Sequence, residues 1–195
     1  MKRLLPLIFL LSSVAPAEAA PIYLFPVVGC DYTYAKSHHD YPATDILAKA
    51  GCKYVAATSG VIDEVNRVDS WSGKTNLGAD RGGLYVSFIG DDGVRYYASH
   101  LRSIPASIQP GVVVTAGRLL GAIGATGSAR GTAPHVHFGI SWPTPIESGV
   151  WWVRRGAVYP WKYLDAWKSG KDLSPVKEVE ARKLKVGEIP TAPKK

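Results

Sequence analysis

All five histidines of this chain stand in segments that could contribute to one metal site; they are His38, His39, His100, His135 and His137. His135 and His137 flank a single valine. Residues two apart on a β-strand point to the same face, about 6–7 Å apart along the chain. The two imidazoles are therefore expected to face one space. Two imidazoles with a further histidine and an aspartate are typical of a catalytic zinc that keeps one position for water.

An upstream histidine and aspartate complete this set. His39 and Asp45 are six positions apart with Pro42 between them, a spacing that suits a loop entering a strand. We therefore predict that His39, Asp45 and His137 bind one Zn²⁺ ion per chain. His38 is the alternative to His39, since only the geometry of the loop separates the two.

We predict that His135 and His100 are catalytic without binding the metal. His135 shares a strand face with His137, and His100 follows a predicted strand that ends at Ser99. One histidine would take a proton from water, and the other would stabilise the oxyanion or protonate the leaving amine. The structural alternative is that both are neutral rings bonded to backbone carbonyls, which is common for a histidine on a strand.

Short strands and glycine-rich turns dominate residues 53–140. The β-branched and aromatic run 84–89, the turn Asp91-Asp92-Gly93 and the return strand 94–97 together predict a β-hairpin. Further strands are predicted at 61–65, 111–114, 119–123, 136–140 and 150–154. This density predicts an all-β domain of mainly antiparallel sheet. The polar, glycine-rich segment 69–83 is predicted to be a long loop that walls a binding groove.

The two ends of the chain differ from this central domain. A basic start, an apolar stretch and a small-residue cleavage pattern ending at Ala19 predict a signal peptide over residues 1–19. The protein is thus expected to be exported, to the periplasm or the extracellular cell wall, without a stable membrane anchor. The domain would span 20–170 and end in a short helix at 160–168. Residues 171–195, rich in Lys, Glu and Pro, predict a charged and mostly disordered tail.

The two cysteines, Cys30 and Cys52, are predicted to form a disulfide, because an exported domain folds in an oxidising compartment. The alternatives are two buried free thiols or a cysteine nucleophile. The net charge of +7 favours attraction to anionic surfaces, including cell-wall polymers. No basic helical stripe indicates a nucleic-acid partner, and we expect a monomer.

Three segments occur in a recognisable order: the segment from His39 to Asp45, then Tyr97-Ala98-Ser99-His100-Leu101, then the glycine-rich run 121–138 that ends in His135-Val136-His137-Phe138. Over residues 35–145 the chain resembles the lysostaphin-type zinc endopeptidases, also called LytM-domain proteins, which have the duplicated hybrid motif fold. The resemblance implies a peptidase that cleaves cross-links or stem peptides of peptidoglycan. It also implies zinc ligands at His39, Asp45 and His137, with His135 and His100 as the catalytic histidines.

The first motif departs from the family pattern. The family usually places the histidine four residues before the aspartate, but Tyr41 stands four residues before Asp45 here. Two other classes of protein remain open. One is an inactive relative that binds peptidoglycan or activates another hydrolase, and the other is a wall-binding β module with structural histidines. Neither of these would carry stoichiometric zinc.

Overall fold

The computed structural model describes residues 22–39 and 41–192. The predicted signal peptide at 1–19 lies outside these residues. Within them the chain forms ten strands and three α-helices, with short 3₁₀ helices at Gly78–Asp80, Gly127–Ala129 and Ile146–Ser148. The strands and helices are β1 Val27–Val28, β2 Tyr32–Tyr34, β3 Thr44–Ala48, β4 Lys53–Val55, β5 Gly60–Asn66, β6 Leu84–Gly90, β7 Arg95–Ser103, β8 Val113–Val114, β9 Leu119–Ile123, β10 His135–Ser141, α1 Trp151–Arg155, α2 Trp161–Lys168 and α3 Val176–Val186. None of the helices in the described ranges combines the length and apolar character needed to cross a membrane.

The strands form one antiparallel sheet, which confirms the predicted fold class. Its main path runs β1-β4-β9-β7-β10-β3-β2, while β6 joins β7 to β5 and β5 also pairs with β8. The predicted hairpin is formed by β6 and β7, and Gly93 occupies its turn with a φ of 77°. Strand β10 lies between β3 and β7, so the predicted metal-binding strand has a neighbour on each side.

Side chains alternate between the two faces of β10, so that one face packs into the core and the other carries the histidines. Val136, Phe138 and Ile140 each have an exposed fraction of 0 % and pack into the hydrophobic core. His135 and His137 therefore point to the opposite face of the sheet, as the sequence predicts. Burial of the apolar residues fixes this orientation, because a slip of one residue would turn every side chain to the other face.

Residues 150–154 were predicted as a strand, and that prediction was wrong. Residues 151–155 form α1 instead, with the Arg154 amide donating to the Val150 carbonyl at 3.2 Å. The aromatic and β-branched residues of this stretch favour a strand locally. Tertiary packing outweighs that preference, because Val150 and Val153 are buried in the core.

The C-terminal segment contains one expected helix and one unexpected helix. Helix α2 matches the prediction for 160–168, and Trp167 packs into the core. Helix α3 lies where the sequence predicts a mostly disordered tail. It docks through buried Val179 and through Glu178, which accepts a 2.6 Å hydrogen bond from the Tyr163 hydroxyl. Tail composition does not reveal such partners in the domain.

The predicted Cys30–Cys52 disulfide is confirmed, with a sequence separation of 22. It links the loop before β2 to the start of β4 and encloses the segment that carries His38, His39 and Asp45. The bridge therefore shortens the free length of the loop at the predicted metal site.

Candidate active site

Strand register brings two of the predicted ligands together. His137 of β10 is the direct partner of Asp45 on β3 and of Ser99 on β7. The Nδ1 atom of His137 lies 3.1 Å from Oδ1 of Asp45. His137 is 3 % exposed, so this pair lies at the floor of a cleft rather than on an open surface.

The loop before β3 brings a third potential ligand atom close to these two. Nε2 of His38 lies 4.0 Å from Oδ1 of Asp45, and the rings of His38 and His137 are 4.8 Å apart. The potential ligand atoms of these three residues all lie within 4.8 Å of one another. In a tetrahedral zinc site the ligand atoms are about 3.4 Å apart, as zinc–ligand distances of about 2.1 Å imply. The three ligand atoms are thus slightly farther apart than in a zinc site, and their types, two nitrogens and one oxygen, are those that zinc binds.

The atomic distances favour His38 over the predicted ligand His39. His39 is exposed, lines the same cleft and lies beside His38, with 4.2 Å between ring centres and the two rings tilted by 40°. It does not belong to the group of three whose ligand atoms converge. His38 was the alternative that the loop geometry left open.

Backbone carbonyls determine which nitrogen of each histidine carries a proton. Nδ1 of His38 lies 3.1 Å from the Tyr41 carbonyl, and Nε2 of His137 lies 3.1 Å from the Arg155 carbonyl. A carbonyl oxygen only accepts, so these nitrogens donate, and in a neutral ring the other nitrogen carries a lone pair. In a neutral His137 the lone pair on Nδ1 would then face the carboxylate of Asp45. Two acceptors at 3.1 Å require a cation between them, either a proton or a metal ion.

Burial and charge set the ionisation of this group. Burial and, to a lesser extent, the neighbouring His137 lower the pKa of His38 to about 4. Burial alone would raise the pKa of Asp45, but the hydrogen bond from His137 and the charges of His137 and His38 outweigh it and hold that pKa well below its usual range. At pH 7 His38 is therefore neutral and Asp45 ionised, which are the forms that metal binding requires.

His100 and His135 face each other beside this group. Their rings are 4.9 Å apart, and the ring of His100 is 6.2 Å from that of His137. Nδ1 of His100 donates to the Thr126 carbonyl and Nδ1 of His135 to the Ala133 carbonyl, each at 2.8 Å. In the neutral rings Nε2 is then the acceptor. Burial lowers the pKa of His100 to about 3, with further contributions from His137 and His135.

A bulge in β7 turns His100 into the cleft. Ser99 and His100 are consecutive, yet both line the cleft, whereas neighbours on a regular strand face opposite sides. The pairing of β6 with β7 shifts at this point, and His100 has a φ of 65°. This left-handed conformation is uncommon outside glycine and is concentrated at functional sites. Leu101 then returns to the core with an exposed fraction of 0 %.

The cleft has a volume of about 590 Å³, and beyond the histidines it is walled by three segments: the loop 69–83, residues 128–133 and helix α1. The loop 69–83 contributes Trp71 and Arg81, as its composition predicts, and helix α1 contributes Trp151. Asp69 anchors this loop, because its Oδ2 accepts hydrogen bonds from the Gly127 amide and the Arg130 guanidinium, each at 3.0 Å.

Sequence reasoning missed two residues of the site. The carbonyl of Arg155 fixes the ring of His137, and Tyr41 places its carbonyl against His38 and its ring 5.6 Å from the His137 ring. A main-chain carbonyl leaves no mark in the sequence. Tyr41 stands between the histidines and Asp45 and could have been found from that position.

Atoms of two histidines and an aspartate that could hold a metal ion converge beside two further histidines, an arrangement typical of metal-dependent hydrolases. The chain belongs to Peptidase family M23, whose sequence profile matches residues 39–148. The protein is therefore a peptidase of a zinc-dependent family. The matched region begins at His39, whereas the atomic distances group His38 with Asp45 and His137.

Solved structures of related proteins share the fold. The catalytic domain of the antimicrobial peptidase lysostaphin from Staphylococcus simulans is 25 % identical, with a TM-score of 0.51 over 69 % of this chain and 92 % of that domain. Lysostaphin itself is 26 % identical with a TM-score of 0.52, over 75 % of this chain but only 55 % of lysostaphin. A LytM protein from Ruminococcus gnavus has a TM-score of 0.57 at 22 % identity, over 77 % of this chain and 62 % of that one. No match was found among curated proteins.

Proposed function

We propose that this protein is an exported, monomeric zinc endopeptidase that cleaves peptide cross-links or stem peptides of peptidoglycan. The observation that carries the proposal is the convergence of ligand atoms from His38, Asp45 and His137 within 4.8 Å, in a cleft that also holds His100 and His135. Membership of Peptidase family M23 supports the peptidase activity. The resemblance of the three motifs to lysostaphin-type enzymes supports peptidoglycan peptides as the substrate.

The residues present fit a zinc ion. Nε2 of His38, Oδ1 of Asp45 and Nδ1 of His137 would hold it, an N/N/O set typical of catalytic zinc. The ion, when bound, polarises a carbonyl and lowers the pKa of water to about 7. The carbonyls of Tyr41 and Arg155 accept from the remaining ring nitrogens, which fixes each imidazole as a lone-pair donor toward the centre.

His135 and His100 handle protons in this proposal. Each presents Nε2 toward the cleft as an acceptor, because Nδ1 is bound to a carbonyl. One ring accepts the proton of the attacking water and can return it to the leaving amine, as a general base and then a general acid. His100 remains neutral at pH 7 because its pKa is about 3. Its Nε2 atom can therefore accept a hydrogen bond from a donor in the cleft, but the ring carries no positive charge that would stabilise an anion.

The cleft and the charge of the protein suit a wall peptide. A volume of about 590 Å³ accommodates several residues of an extended peptide. The net charge of +7 favours association with anionic cell-wall polymers. Aromatic side chains on two walls, Trp71 and Trp151, offer apolar surface to the substrate backbone.

The test is incubation of the purified mature chain with peptidoglycan, with and without a chelator, followed by mass analysis of the released fragments. Asp45→Asn is the matched control, since it keeps the size of a ligand and removes its charge. Zinc-dependent release of peptides by the wild type alone is expected. A wild type that binds zinc without releasing peptides would instead indicate a binding or activating role, and one that binds no zinc would reject the metal site.

A further inference from the structure

A group of four charged side chains, two buried arginines and two partly buried carboxylates, lies behind the candidate site. Arg95 is completely buried and donates to Asp63 at 2.6 Å and to Glu64 at 3.1 Å. Arg154 of α1, which is 6 % exposed, donates to the same carboxylates at 3.0 and 2.8 Å. Two positive and two negative charges are thus paired with one another, and the function proposed above uses none of them.

A bulge in β5 makes this arrangement possible. Ile62 pairs with Phe88 and Glu64 with Ser87, so Asp63 is an extra residue without a partner in the ladder. On a regular strand the consecutive carboxylates would point to opposite faces. The bulge directs both toward the arginines, and bulges of this kind re-aim side chains near functional sites.

The two arginines hold the C-terminal turn of α1. The last carbonyls of a helix lack partners within the helix and need other donors. The guanidinium of Arg95 donates to the Arg154 carbonyl, and Nε2 of His137 donates to the next carbonyl, that of Arg155. The side chain of Arg154 adds bonds to the carbonyl and hydroxyl of Thr144. The position of the Arg155 carbonyl therefore depends on the charged group.

Stability alone does not account for this group. Replacing a buried ion pair with apolar side chains of similar volume is often neutral or stabilising, because desolvation offsets the attraction. Two buried arginines held by two partly buried carboxylates are better explained by geometry, since each hydrogen bond has a fixed direction. The atom whose position they fix is the carbonyl that orients His137.

We propose that Arg95, Arg154, Asp63 and Glu64 are positioning residues for His137, acting through the Arg155 carbonyl. The inference rests on the proposed function in taking His137 as a metal ligand. The network holds α1 so that Nε2 of His137 stays hydrogen-bonded and Nδ1 faces Asp45. Loss of an outer partner of a ligand histidine commonly weakens metal binding 10–100-fold.

The experiment compares Arg154→Met with the wild type as metal-free mature chains. Zinc affinity is measured by competition with a chelating dye, and the Nε2–H proton of His137 is followed by ¹⁵N-resolved NMR. Ile108→Ala is the control, since it removes a completely buried side chain between β7 and β8 and lowers stability without touching the network. Arg154→Lys tests rescue, and Glu64→Gln replaces Arg154→Met should that variant not fold.

The expected result is a 10–100-fold weaker zinc affinity and a rapidly exchanging Nε2–H in Arg154→Met, with partial recovery in Arg154→Lys. Ile108→Ala should keep the wild-type affinity within about twofold, since it leaves the outer partner in place. A folded Arg154→Met or Glu64→Gln with unchanged affinity and an unchanged Nε2–H overturns the inference. A wild type that binds no zinc rejects the proposed function instead, and the NMR signal then decides the positioning role by itself.

Discussion

His137 and Asp45 face each other directly across the ladder of β10 and β3, with Nδ1 3.1 Å from Oδ1. Two of the three candidate ligands are therefore set by strand register, which the buried residues Val136 and Ile46 determine. The third, His38, comes from a loop. The site is thus largely built by the sheet, and its remaining freedom lies in one segment of chain.

The first prediction identifies the ligands. His38→Ala, Asp45→Ala and His137→Ala should each lose stoichiometric zinc, because removing one of three ligands leaves too few to hold the ion. His39→Ala is the matched control and should keep zinc, since its ring is outside the converging group. Metal content after gel filtration measures the zinc that the ligand variants and the control retain. Zinc lost from His39→Ala and kept by His38→Ala would establish the other histidine as the ligand.

The second prediction separates catalysis from metal binding. His135→Ala and His100→Asn should each lower turnover on peptidoglycan at least about a hundredfold while keeping zinc, since general acid–base groups contribute about 10²–10⁴-fold. Asparagine is chosen at position 100 because it tolerates the φ of 65° there. Turnover and metal content are measured on the same samples. Near-normal activity in either variant would show that its histidine is structural.

The third prediction concerns the disulfide. Replacing both Cys30 and Cys52 with serine should lower the free energy of unfolding by about 3 kcal/mol, as loop-closure entropy predicts for a 22-residue separation. Urea unfolding measures this difference. Zinc affinity should also fall, because the bridge encloses the loop that carries His38. Wild-type affinity in the serine variant would mean that the sheet alone orders that loop.

Much of the fold follows from local patterns in the sequence. The alternation in residues 135–140 predicts which histidines leave the core, and Asp91-Asp92-Gly93 predicts the hairpin turn. The disulfide follows from the number of cysteines and the expected compartment. Each of these features depends on residues close in sequence or on composition, and both can be read from the sequence alone.

The rest depends on contacts between distant residues. The bulges at Asp63 and His100 change the face of the sheet toward which the side chains point. No local pattern in the sequence indicates either bulge. Helix α1 forms against local preference because its residues pack on the sheet, and the Arg155 carbonyl reaches His137 only through that packing. The choice between His38 and His39 likewise depends on the course of a loop.

The fourth prediction uses the pKa of His100. Its folded pKa of about 3 lies below the ordinary value of about 6.5, so below pH 6.5 the unfolded chain binds a proton that the native state does not. Stability from this residue is complete above pH 6.5 and is lost as pH falls toward 3, with a slope approaching about 1.4 kcal/mol per pH unit. Urea unfolding of metal-free protein between pH 7 and 4.5 should show a smaller loss in His100→Asn. Parallel curves of unfolding free energy against pH for variant and wild type would contradict a lowered pKa for His100.

The last prediction tests how closely α1 must approach β10. Gly139 lies beneath the helix end, and a Cβ atom there would come 1.8 Å from the Arg155 carbonyl oxygen. Gly139→Ala must therefore push the carbonyl away, at a cost of about 1–3 kcal/mol for overpacking, and break its bond with His137.

Gly73→Ala is the control, since its Cβ would meet only Trp71 at an ordinary 3.5 Å. We expect Gly139→Ala to lose both stability and zinc affinity, and Gly73→Ala to keep both, as measured by urea unfolding and dye competition. A destabilised Gly139→Ala with wild-type zinc affinity would show that His137 holds its orientation without the carbonyl. In that case Asp45, its partner across the ladder, would be the residue that orients the ring.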